Sequence, residues 1–274
     1  MSVGSNRLSA LENSASKTAK ALTRDPSLNV VMTRDEAFYN WETNTVGTPA
    51  YSGKLDDANG ETEEGELAYA FRGLLDHECG HKVYTDCEAL SEWLTAKEEA
   101  HGTEAAHRLQ RLHNTFEDPQ MEARWIDHHP GSQKYIAAKL RVTIRETGGA
   151  APCDPEHRPF GFGGPAIGVF TAFGQAMLRI HHGFVTVGQV PPVIQYLLKV
   201  CEVEIAQGFE ATTTQGCIEA AEAVWKKLCD LEDASEQQEG EGEGECLSGR
   251  QGEAGESESE AGEGEDQPGD HDSS

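Results

Sequence analysis

The chain has 274 residues, with 22 basic against 48 acidic side chains and a formal net charge of −26. That length allows one or two domains and a sizeable core, while so acidic a balance excludes a nucleic-acid binder that relies on clustered Lys and Arg. Fourteen acidic residues fall between 235 and 274 against the single Arg250, so half of the net charge belongs to one Glu/Gly/Ser-rich tail.

In chain order, Leu8, Leu11, Ala15, Ala19 and Leu22 recur at helical spacing, and Asp25-Pro26 ends that helix. The N-terminus carries no continuous apolar run of the signal-peptide kind and reads as an amphipathic surface helix. "LNVVM" (28–32) and "TVGTPAYS" (45–52) read as short strands. "DDANGETEEGE" (56–66) is a polar loop leading into a helix over 66–84, whose stripe is Leu67, Phe71, Leu74 and Leu75. Asp86 is placed to cap a helix over 87–100. A longer helix begins at Thr103 and runs to about 126, where Pro119 predicts a kink or break near Asp118.

Further helices are expected over 132–147 and near 166–181, 191–207 and 215–232, with a Gly/Pro-rich loop at 148–165. Strands are few and helical periodicities many, so the fold class is mainly α, with a few short strands near the N-terminus. The tail is too poor in apolar residues to offset chain entropy and reads as disordered. The expected organisation is a helical domain over 1–234 and an acidic tail or linker over 235–274. Seven cysteines without a CxxC pair suggest reduced thiols in a cytoplasm rather than a disulfide framework. The chain lacks the ~18 consecutive apolar residues of a membrane span.

The stretch "HECGH" (77–81) carries the chemistry. Residues i and i+4 share one helix face, so His77 and His81 can turn ring nitrogens toward one ion. Glu78 then lies beside that ion, as the base for a zinc-activated water that attacks a peptide carbonyl. Gly80 is expected to keep the metal side uncrowded, and Cys79 to be a packing residue. Positions 84 and 87 are Tyr and Cys, so a third His at the extended spacing is absent.

The missing third ligand is sought in "HNTFEDPQMEARW" (113–125). Glu117 is preferred, with Asp118 a close alternative, and the other acid or Glu122 is expected to hold the free N–H of a ligand histidine. His113 is a competing candidate, as a ligand or as a donor to a transition-state oxyanion. The pairs His128-His129 and His181-His182 read as residues at helix C-termini. Tyr84 and Tyr135 are candidate oxyanion donors.

With HECGHKVYTD followed by NTFEDPQMEARW, the chain resembles the N-terminal part of bacterial and phage proteins described as cobaltochelatase T-subunit-like, or as von Willebrand A-containing peptidases. Members carry H-E-x-G-H-x-x-x-T-D and, on a later helix, N-x-x-E-D-x-R-x-E. Here these fall on His77, Glu78, Gly80, His81, Thr85 and Asp86, then Asn114, Glu117, Asp118 and Glu122, with Gln120 in place of the Arg. The family's acidic linker matches the tail, while the von Willebrand A domain and its D-x-S-x-S signature are absent from this sequence.

The resemblance implies a zincin-like helical domain with bound Zn2+, acting on a peptide or protein substrate. A truncated or split member would work with a separate von Willebrand A subunit or an AAA+ ATPase. The alternative it implies is a non-catalytic adaptor of the cobaltochelatase kind, connected with cobalamin biosynthesis and an AAA+ ATPase.

Overall fold

Helices dominate, and a small sheet lies near the N-terminus. The computed structural model describes residues 3–34, 36–49, 63–146 and 169–242. By its internal packing the chain divides into Met1–Glu232 and Asp233–Ser274, and the sheet and the apolar cores belong to the first unit.

Helix α1 (Val3–Thr23) ends where Arg24 takes a positive φ of 55°. The Asp25 carboxylate then accepts from the Ser27 amide and hydroxyl, turning the chain into β1 (Asn29–Thr33). Strand β2 (Phe38–Asn40) was not expected from the sequence, and β3 (Thr45–Pro49) follows a turn held by Asn40 and Asn44. The sheet order is β1-β3-β2, with β1 parallel and β2 antiparallel to β3. Among the described residues β2 is therefore an edge strand.

Helix α2 (Glu63–Tyr84) carries the HECGH motif. Its Leu75 and Cys79 pack with Ala19 of α1, Val30 of β1, Val46 of β3 and Trp125. Asp86 caps α3 (Cys87–His101), accepting from the Ala89 amide at 3.1 Å, as expected of it. Helix α4 (Thr103–His128) runs unbroken through Pro119, so the expected break is absent. Phe116, Glu117, Met121 and Glu122 are all buried around the proline. Packing on both sides holds the helix through the one N–H that proline cannot give.

A 3₁₀ turn at Pro130–Ser132 leads to α5 (Gln133–Glu146). The expected Gly/Pro loop at 148–165 lies outside the described residues, as do positions 50–52 of the second expected strand. Helix α6 (Val169–His181) precedes α7 (Pro192–Val200) and α8 (Glu202–Glu210). One helix was expected over 191–207, but the buried Cys201 turns the chain between two. The turn lets α8 approach α4 closely, where a Cβ on Gly208 would stand 2.5 Å from the Phe116 ring. Helix α9 (Thr214–Gly242) continues into the acidic stretch expected to be disordered, and residues 243–274 lie outside the description. Leu112 and Phe116 of α4 join α6, α7 and α9 in the second large core.

Two glycines fix how closely neighbours approach α2. A Cβ on Gly73 would stand 2.2 Å from the carbonyl oxygen of Tyr135 in α5, and one on Gly80 would stand 2.1 Å from Met121 Sδ in α4. Gly80 thus faces α4 and does not serve to keep the metal side uncrowded. Its effect is to let α4 close on the histidines. The Tyr135 carbonyl is backbone and cannot swing aside. Gly73→Ala should therefore destabilise the chain by about 1–3 kcal/mol, read as a thermal midpoint lowered by roughly 2–10 °C; an unchanged midpoint would contradict the close α2–α5 packing.

Candidate metal centre

His77 and His81 stand one turn apart on α2, and their Nε2 atoms face each other at 3.2 Å. From α4, Asp118 Oδ1 lies 3.4 Å from His81 Nε2 and Oδ2 lies 3.9 Å from His77 Nε2. These side chains each offer a ligand atom within 4.8 Å of the others, so they form a group able to hold a metal ion. Around a tetrahedral ion with bonds of ~2.1 Å, neighbouring donor atoms stand about 3.4 Å apart. The observed separations bracket that value.

The outer nitrogens decide which lone pairs face inward. His77 Nδ1 lies 2.7 Å from Glu122 Oε1. Lys139 Nζ also comes within 3.0 Å of this nitrogen, but Lys139 is engaged by Glu122, and the shorter contact to an ionised carboxylate, which only accepts, favours the hydrogen on Nδ1 and the lone pair on Nε2. Lys139 of α5 pairs with the same Glu122 oxygen. Burial alone would raise the Glu122 pKa, but Lys139 and His77 outweigh it and hold the carboxyl ionised. His81 Nδ1 lies 2.9 Å from Thr85 Oγ1, and donation there leaves its Nε2 lone pair inward too. Two such lone pairs and a carboxylate cannot converge without a cation or proton among them. Asp118 Oδ1, buried without a hydrogen-bond partner, adds to the same demand. The donor set therefore fits a metal ion on its own geometry.

Glu117, the acid preferred from sequence, stands elsewhere. Its Oε1 accepts from Thr214 Oγ1 of α9 at 2.7 Å, and its Oε2 lies 3.7 Å from His81 Nδ1, the outward nitrogen. One residue is about 100° of helix rotation, which sends Asp118 to the inner side of His81 and Glu117 to the outer. The group able to hold an ion therefore includes Asp118, the alternative, while Glu117, the preferred acid, lies behind His81. His113 lies deeper still, fully buried, its Nε2 3.8 Å from Glu117 Oε2.

Glu78 opens with His77, His81, Glu117 and Asp118 onto a cleft of about 620 Å³. Burial raises its pKa, against the lowering influence of the two histidines. The cleft is lined by Phe38 and Tyr39 of β2, by the flanking Ala37 and Trp41, and by residues of α3 and α4. Tyr84 and Tyr135 do not line it: Tyr84 packs against Trp125, and Tyr135 against Tyr69. His107 lines the far end, and His101 does not. His128 bonds the Arg124 carbonyl and the His129 ring packs tilted against Trp125, in keeping with the end of α4. His181 stacks on Phe209, while the half-buried His182 feels the charges of Glu122, Lys139 and Asp118. Cys79 is fully buried in the core, as expected of a packing residue.

Lys139 and the β2 edge were missed. Lys139 had one legible signal: it stands beside Ala138 and Val142 on the apolar side of α5, where a lysine needs a buried acid. No family model, curated protein or solved structure matches the chain.

Two measurements test the ligand set. Asp118→Ala should abolish stoichiometric metal binding, whereas Glu117→Gln should keep the ion and weaken it roughly 10–100-fold; the reverse order would return Glu117 to the ligands. Burial works against charging His81, but the Asp118 carboxylate beside it prevails and pushes the pKa up to about 9. The metal-free chain therefore holds a proton at this position below that pH, and an incoming ion must displace it. Apparent affinity should climb about tenfold per pH unit and level off near pH 9. Calorimetry in buffers of different ionisation enthalpy should detect about one proton released per ion at pH 7, and no release would contradict the protonated site.

Proposed function

We propose that this chain is a zinc-dependent peptide hydrolase in which His77, His81 and Asp118 hold the ion and Glu78 moves the proton. The observation that carries the reading is a buried acid beside three converging donors, opening onto a cleft. Two imidazoles and one carboxylate in a near-tetrahedral spread are a zinc donor set, and three protein ligands leave a position for water or substrate. A zinc ion so held supplies Lewis acidity that polarises a carbonyl and makes water more acidic.

The chain's own residues do the rest. Glu78 takes a proton from the attacking water as the water oxygen bonds to the carbonyl carbon. It returns that proton to the leaving nitrogen as the C–N bond breaks. Its raised pKa brings proton affinity closer to what both transfers need. Glu122 and Thr85 fix the two imidazole rings, and Lys139 keeps Glu122 ionised. The edge of β2 along the cleft suits an extended substrate, which can add to the sheet through its main chain.

The other reading is an adaptor of the cobaltochelatase kind, working with an AAA+ ATPase. A zinc that only supports a fold is closed off by four protein ligands, and three donors facing a cleft favour hydrolysis over that role. The likeness to the T-subunit-like and von Willebrand A peptidase group is retained as part of this proposal. It is supported by the work its motif residues do here: Thr85 holds His81 and Asp86 caps α3. A cytoplasmic setting accords with free thiols at all the described cysteines. Among the described residues no helix is long and apolar enough to cross a membrane.

Glu78→Gln should retain one zinc per chain while hydrolysis of a casein or peptide substrate falls by about 10²-fold or more. Chelation should silence the wild type and zinc restore it. A variant that cleaves as well as the wild type, or a wild type that takes up no zinc, would sink the proposal.

A further inference from the structure

The walls of the cleft carry a pattern of charge and apolarity that the metal chemistry does not use. Among the described residues its acids are Glu78, Glu98, Glu117 and Asp118, and no Lys or Arg lines it. Lys82, which lies against the Tyr39 ring, is held by Asp25 at 2.8 Å. Lys139 is taken by Glu122. Three of the four acids surround the histidines. Glu98 stands apart and exposed near the end of α3, with one oxygen accepting from Thr103 Oγ1. Eleven residues of helix separate it from Cys87, a reach of ~16 Å, or roughly five residues of extended chain.

Between these ends the same helix presents Leu90 and Leu94 to the cleft. No residue of α3 is buried, and both leucines remain partly exposed. Across the cleft stand Phe38 and Trp41, 38% and 44% exposed. Large apolar side chains left accessible on both walls of one groove are unspent contact area.

We propose that the cleft binds an extended cationic peptide segment, packing a large apolar side chain against Leu90 and Leu94 and setting a Lys or Arg opposite Glu98. This substrate class rests on the peptide-hydrolase reading and deepens it. Charge complementarity selects the partner: a bound ion would offset the acids around the histidines, while Glu98 stands outside that centre with no Lys or Arg among the described lining residues, so this end of the groove repels acidic chains and draws basic ones. The chain's own Glu-rich C-terminal sequence is of the opposite kind, so its charge disfavours it as an occupant of this groove.

The test separates binding from cleavage. Zinc-loaded, full-length Glu78→Gln protein is titrated with a labelled ten-residue peptide carrying a central Leu flanked by lysines. Matched peptides replace the lysines by Glu, or the Leu by Ala. The basic, Leu-containing peptide should bind about tenfold tighter than either relative, and its margin over the Glu peptide should shrink in 0.5 M salt. Glu98→Lys should erase most of the charge preference, and Leu90→Ser with Leu94→Ser the apolar one. Both substitutions lie on a partly exposed helix face, and an unchanged thermal midpoint will show that they fold. Equal binding of the three peptides, tighter binding of the Glu peptide, or preferences that survive these substitutions would overturn the proposal. Wild-type protein is then given the same basic peptide. Tight binding without cleavage would overturn the hydrolase reading and leave the peptide preference standing.

Discussion

A buried carboxylate on α4 organises this molecule. Glu122 is sequestered from water and would be costly to keep ionised alone. It is held by Lys139 of α5 and His77 of α2, so one acid ties three helices together. Each partner satisfies the others only while all three helices keep their register. The contact is polar and directional, in contrast to the apolar cores on either side. The orientation of His77, and through it the inward lone pair that an ion needs, follows from this one arrangement.

A second polar chain does the same for His81. The Asp86 amide donates to Thr214 Oγ1, and Thr214 donates to Glu117, which stands behind the outward nitrogen of His81. The turn between α2 and α3 is thereby joined to α9 and α4. The two histidines thus have supports of different composition. His77 rests on an ion pair, His81 on hydroxyls and a loosely approaching carboxylate. The acidic side of α4 divides its work accordingly, with Asp118 facing inward and Glu117 and Glu122 each behind one ring.

Much of this could be read from the residues themselves. Spacing placed His77, Glu78 and His81 on one helix, the motif context drew in 117–122, and Asp86 announced its cap. What could not be read was rotation. Glu117 and Asp118 are adjacent letters with similar chemistry, and only the azimuth of α4 against α2 decides which of them joins the two inward nitrogens. Lys139 was hidden for a related reason, since its partner lies on another helix. Strand β2 is too short to show alternation, and it became visible only through pairing with β3. Pro119 does not end the helix, because its local propensity is outweighed by burial on both sides of it.

The pattern H-E-x-x-H writes its two middle positions as free. In this fold they are not. Cys79 is enclosed by the cluster that contains Trp125, and a methyl group on Gly80 would have to push the Met121 side chain aside. Cys79 answers to the core behind α2 and Gly80 to α4, the helix that carries Asp118, while the three specified letters line the cleft. A substitution confined to the silent positions would keep all three specified residues and still shift α4, and with it Asp118, so tolerance at this motif is governed by packing around the helix as well as by metal chemistry.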